Sequence, residues 1–176
     1  MFVLISWILG FITPDYDWKN DYISELSLGK YGLIQKVNFI FCGLTVIGLC
    51  LLLATRTPNE LVRLGWYLGS GMGILTALAG VWDTDEKRPN RTLTGKWHEL
   101  VYHLGMLGTG AAYLLIGWGY RNVPTIMVSS LVVAVFDLLW WKFHTKLGIK
   151  PGVGQRVVIY SALLWVEVMV IWTMWQ

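Results

Sequence analysis

Residues 80–103 read GVWDTDEKRPNRTLTGKWHELVYH and separate two long apolar runs. Carboxylates at Asp83 and Asp85 precede His98, Glu99 and His103. A carboxylate beside an imidazole can hold a divalent cation through oxygen and nitrogen, or move a proton at neutral pH, where histidine titrates. Spacing narrows the choice. Glu99 and His103 are i,i+4 and share a helix face. His98 and His103 are five apart, about 140° around a helix, so they diverge. HELVYH has one residue too many to be the HExxH zinc motif. A second polar stretch, DYISELSLG (21–29), brings Asp21, Ser24, Glu25 and Ser27. The expected catalytic set is His98, Asp85, Ser24 and Glu25, with His98 as acid, base or ligand and Asp85 as its orienter. A divalent metal, held by His98 and Asp85, is the one cofactor these donors suggest. The competing reading is helix capping, because Ser24 and Asp21 are good N-cap types and acids gather at helix starts.

The elements that must carry these groups are membrane helices. The chain of 176 residues is 55% hydrophobic and 14% charged, with mean hydropathy +0.53. Soluble domains hold about a quarter charged residues. Eleven tryptophans and eight tyrosines suit headgroup belts. The net charge of +3 is too small and dispersed for a nucleic-acid surface. Five runs reach the length of about 20 residues that a span needs: about 33–54, 62–82, 98–120, 125–143 and 153–175. A sixth, 1–13, is short and lacks the basic start of a signal peptide. The expectation is all-α, one polytopic domain over 1–176, a six-helix bundle whose first helix is short or truncated.

Links at 14–32, 83–97 and 144–152 are longer than those at 55–61 and 121–124, so one face carries most of the polar material. Lysine and arginine favour that face, which the positive-inside rule makes cytoplasmic. Gly65, Gly69 and Gly73 form overlapping GxxxG motifs, and Gly105, Gly108, Ala111 and Ala112 offer a matching stripe. Close contact between the third and fourth spans follows. LGSGMG follows no strand and precedes no lysine, so it is not a phosphate loop. Cys42 and Cys50, two helical turns apart, read as free packing residues. Asp137 and Glu167 lie inside spans, where ionisable groups usually face the bundle interior. Arg156 stands near enough to the long-loop surface to pair with Asp137, and Glu167 has no basic partner at its depth. Asn90-Arg91-Thr92 reads as a chance glycosylation sequon, and Trp140, Trp141, Lys142 and His144 as an interfacial belt.

YISELSLG, then NFIFCGL opening a span, GVWDTD closing the next, His98 starting the helix after it, and GVGQRVVIYSALLW near the end together resemble the domain-of-unknown-function 998 family. These are six-helix membrane proteins of bacteria and archaea, similar in layout to Frag-type and DRAM-type proteins. The resemblance covers about residues 14–170. By position it implies that Ser24, Glu25, Asn38, Asp85, His98, Arg156 and Trp165 occupy the family's recurrent polar and aromatic places, and a prokaryotic cell membrane as location. Asp83 stands where the family often has proline, and this chain has half of the family's usual first helix. The resemblance implies a fold and a cluster, without an activity.

Three functions fit these residues. The first is a lipid-headgroup binding or lipid-modifying site, with Arg156, Asn38 and Asp137 contacting substrate and Arg156 holding a phosphate. The second is a non-catalytic subunit, sensor or assembly factor that docks a membrane protein partner through Lys87, Arg88 and Arg91. The third is a small transporter, for which paired broken helices or repeated halves are not evident. Membrane lipids are the expected partners, and nucleic acid is not.

Overall fold

The computed structural model describes residues 1–85, 92–143 and 146–175, without the side chains of Trp140, Trp141 and Lys142. Lys87, Arg88, Arg91, Asn90 and His144, and with them the docking charges, the sequon and the aromatic belt, lie outside the described side chains. Among the described residues the chain is all α, with no strand. Six helices follow in order: α1 Phe2–Ile12, α2 Gly32–Arg56, α3 Glu60–Ala79, α4 Leu93–Gly119, α5 Pro124–Phe143 and α6 Pro151–Met174, with a 3₁₀ turn Ile23–Ser27 between α1 and α2. Helices α2, α3, α4 and α6 are long and apolar enough to cross a membrane; α1 and the 124–139 stretch of α5 are shorter apolar helices. In hydrocarbon every backbone group needs an internal partner, and the helix supplies all of them within one segment.

Local chemistry sets the helix ends. Asn59 caps α3 by accepting from Leu61 N (3.0 Å) and Val62 N (3.2 Å), and its Nδ2 donates to the Gly119 carbonyl at 2.9 Å. That one side chain ties the two short links together. Thr92 caps α4 by accepting from Gly95 N at 3.0 Å. The helix therefore starts at Leu93, five residues before the hydropathy expectation of 98, because a cap depends on one hydroxyl and leaves no mark in an average.

Helices adjacent in sequence pack side by side from α2 through α5, while α6 leans on α5 and more lightly on α2 and the 3₁₀ turn. The glycines of α3 were expected to serve α4; they are divided between two neighbours. Gly65 faces Ala112 and Ile116 of α4, but Gly73 lies against Gly43 and Ile47 of α2, and Gly69 against Cys50. A Cβ on Gly43 would strike the Gly73 carbonyl and Ala77. The α2–α3 contact is thus backbone against backbone, the arrangement that gives dispersion its closest range in lipid. Two apolar clusters result. One gathers Cys50, Trp66, Tyr113, Ile116, Trp165 and Met169 among others; the other gathers Phe2, Ile23, Phe39 and Cys42. Both cysteines are free and buried.

Gly43→Leu should separate α2 from α3 and destabilise the bundle by about 1–3 kcal/mol, the usual cost of overpacking. Gly48→Leu, on the same helix with open space around the added Cβ, should not. Thermal unfolding of the two variants in detergent measures the difference.

Candidate functional site

The first loop is held by Arg156. This side chain, 4% exposed, projects from the first turns of α6. Its Nη1 donates to the carbonyls of Trp18 (2.7 Å), Asp21 (3.2 Å) and Gly152 (2.9 Å), and its Nη2 donates to the Tyr16 hydroxyl. The guanidinium also stacks near Trp7 and Tyr16, at 5.8 and 5.7 Å from their ring centres. Gly152 permits this approach, since a Cβ there would collide with the carbonyls of Trp18 and Asp21. Tyr16 hands its own proton on to the Tyr22 carbonyl at 3.0 Å. Burial pushes its hydroxyl up to about 12 against the opposing pull of Arg156, so it stays a neutral donor. Asp17, held below the usual carboxylate range by the Asn20 side chain and then the Lys19 backbone N–H, closes the loop's own turn. Gln155, next to Arg156, accepts from Ile23 N at 2.7 Å. The expected Arg156–Asp137 pair does not form: carbonyls nearer the surface use the guanidinium first.

The second loop is arranged differently from the expected cluster. Asp85 accepts from Thr92 N (2.9 Å) and Thr92 Oγ1 (2.6 Å), so it fastens the residue that caps α4. Asp83 pairs with Lys36 of α2 at 2.6 Å. His98 bonds through Nδ1 to the Trp82 carbonyl at 2.9 Å. A carbonyl only accepts, so the ring carries a proton on Nδ1, and the Ala79 backbone is a second hydrogen-bond neighbour of the ring. No hydrogen bond joins Asp85 to His98 among the described residues. The two oxygens of Asp85 take the backbone N–H and the hydroxyl of the capping residue, so capping occurs at this loop as well as being offered by residue type in the first. Glu99 and His103 meet at 3.6 Å, as i,i+4 spacing requires, on a different part of the helix from buried His98. Among the described residues no group of three or more His, Cys, Asp or Glu side chains is placed to hold a metal ion.

Asn38 donates to the Phe2 carbonyl (3.1 Å), Ser6 Oγ (3.3 Å) and Gln35 Oε1 (3.3 Å). With Gln35 and Ser6 it binds α1 to α2. Glu25 is half-buried in the 3₁₀ turn. Glu167 lies on the exposed outer face of α6, beside exposed Leu164, Val168 and Ile171, and not in the interior where it was expected. Trp165 is buried, 4.4 Å from Tyr113 and 5.6 Å from Trp66 between ring centres.

The structure does bring His98, Ser24 and Asp137 to one place. They line a cavity of about 160 Å³ bounded mainly by α2, α3, α4 and α6, to which α5 contributes Asp137 and the 3₁₀ turn Ser24. Gln155 and Tyr102 line it too, along with Trp66, Cys50, Ala112, Ile116 and Val166. Along α4 its wall extends from His98 to Ile116, about 27 Å at a rise of about 1.5 Å per residue. The polar groups sit toward the long-loop end and at mid-depth; the remainder is aromatic, aliphatic and sulfur-bearing. Gln155, Gln35, Ser6 and Tyr16 were missed because neutral polar residues barely lower a hydropathy average. For Gln155, Gln35 and Ser6 their position inside apolar runs was the signal available, whereas Tyr16, in the polar first link, gave none.

A family description, "protein of unknown function (DUF998)", matches residues 1–172 of this all-helical chain. The chain belongs to that family. Neither a curated protein nor a solved structure matches it.

Arg156→Ala should release the 14–23 segment and cost about 1–3 kcal/mol, the usual penalty for leaving buried carbonyls without their donor. Arg156→Lys should not restore it, since one ammonium cannot reproduce the planar fork. Hydrogen exchange of the Trp18–Ile23 amides reads the outcome.

Proposed function

We propose that this multi-pass membrane protein binds a membrane amphiphile inside its helix bundle. The polar part of the ligand lies in the stretch that His98, Ser24 and Gln155 line at the long-loop end and Asp137 lines at mid-depth, and its apolar tail runs on between α2, α3, α4 and α6. The observation that carries this reading is the cavity's shape and lining. Its wall of about 27 Å along α4 compares with a hydrocarbon core of about 30 Å, and polar groups occupy the long-loop end and mid-depth while the far end is apolar. Ser24 and Gln155 at the cavity lining are the neutral polar groups that would meet a headgroup hydroxyl or amide. Arg156 does not line this space, so a phosphate is not the group the cavity favours. Gly105 keeps the passage wide: a Cβ added there meets nothing within 4 Å.

A second reading has its own support. Glu167 on the outer face of α6 is a carboxyl facing lipid, which costs about 2.5–3.5 kcal/mol for an acid at mid-span. A neighbouring transmembrane helix with a donor at that depth would relieve this cost, as for a subunit in an assembly. Glu167→Leu should then weaken co-purification of a membrane partner and leave cavity binding unchanged.

For the cavity, native mass spectrometry of protein extracted in mild detergent should show a retained amphiphile. Gly105→Phe should fill the space, keep the fold and reduce occupancy by about tenfold or more, as expected when a buried chain of a few methylenes loses its place. Equal occupancy in the two proteins would overturn the proposal.

A further inference from the structure

We infer that the ligand of this cavity carries a protonated amine, and that Asp137 is the group that holds it. The inference rests on the amphiphile reading above and adds the chemical class of the polar group. Asp137 is fully buried, lines the cavity, and its Oδ2 has no hydrogen-bond partner among the described residues. Its Oδ1 has only Ser161 Oγ at 3.5 Å. Ser161 has one hydroxyl proton, and the Val158 carbonyl takes it at the better distance of 2.9 Å. Asp137 Oδ2 is therefore an acceptor without a donor, and Oδ1 has one only at long range.

A buried carboxylate left this way is costly unless a charge or donors arrive to meet it. The cavity's own lining does not provide a full positive charge. Among its described residues Asp137 is the single carboxyl, no lysine or arginine is present, and His98 is bonded to the Trp82 carbonyl at the far polar end. Arg156 is turned to the loop. An anionic group would find no counter-charge here, whereas an ammonium would find one. It would also find ring faces: Tyr102, Tyr113 and Trp66 share the lining, and aromatic faces attract desolvated cations. Below this level the wall is apolar, which suits the alkyl or ring part of an amphiphilic amine.

Dodecylamine and dodecanol differ in this one group and make the test. Equilibrium dialysis of each against protein in uncharged maltoside micelles, with empty micelles subtracted, should give a preference for the amine of about tenfold or more in the wild type, as expected for a buried charge-assisted contact. Asp137→Asn should bring the two ligands level while dodecanol still binds. No preference in the wild type, or a preference that survives in Asp137→Asn, overturns the amine site and leaves the cavity reading standing. Failure of both ligands to bind the wild type overturns both. If Asp137→Asn does not purify as a folded species, the wild-type preference decides, together with Gly105→Phe, which should abolish binding of both ligands.

Discussion

The Arg156 guanidinium is the contact on which the rest of this architecture depends. Helix α6 packs lightly on the bundle apart from α5, and its first turns are held by carbonyls of the first loop. Those carbonyls come from Trp18 and Asp21, while Tyr16 and Gly152 complete the ring of partners. A guanidinium is suited to this position because it presents several donors in a fixed plane and is less strongly hydrated than an ammonium. With the loop fastened to α6, Gln155 can receive Ile23 N and the 3₁₀ turn brings Ser24 to the cavity. Without it the polar end of the cavity would have no lid of defined position.

The opposite principle governs the other side of the bundle. Helices α2 and α3 meet through Gly43 and Gly73 with no side chain between them, which closes that seam tightly. Because α6 stands further off, space remains between it and the α2–α3–α4 layer. The cavity is thus a consequence of unequal helix spacing: small residues draw three helices together, and bulky Trp66, Tyr113 and Trp165 prop the fourth side. Charged groups follow the same division of labour. Asp83, Asp85 and Arg156 each satisfy structure nearby. Asp137, the single carboxyl among the described residues lining this space, has an oxygen without a hydrogen-bond partner.

The sequence by itself determined the helices, and approximately their bounds, because a membrane span is a local property. Twenty or so apolar residues must satisfy their backbone internally wherever they are placed. It also indicated that His98, Ser24 and Asp137 are special, since polar groups in apolar surroundings are rare and must be explained. Only the tertiary structure decided which polar groups meet. Asp85 stands thirteen residues before His98 in the chain and bonds to Thr92 instead; Arg156 and Asp137, both in the bundle, take different partners. Glu167 and Asp137 look alike in a hydropathy profile, yet one faces outward and the other inward. The reason is rotational: a helix fixes where a residue lies along its axis, whereas its direction around that axis is set by the neighbours it packs against.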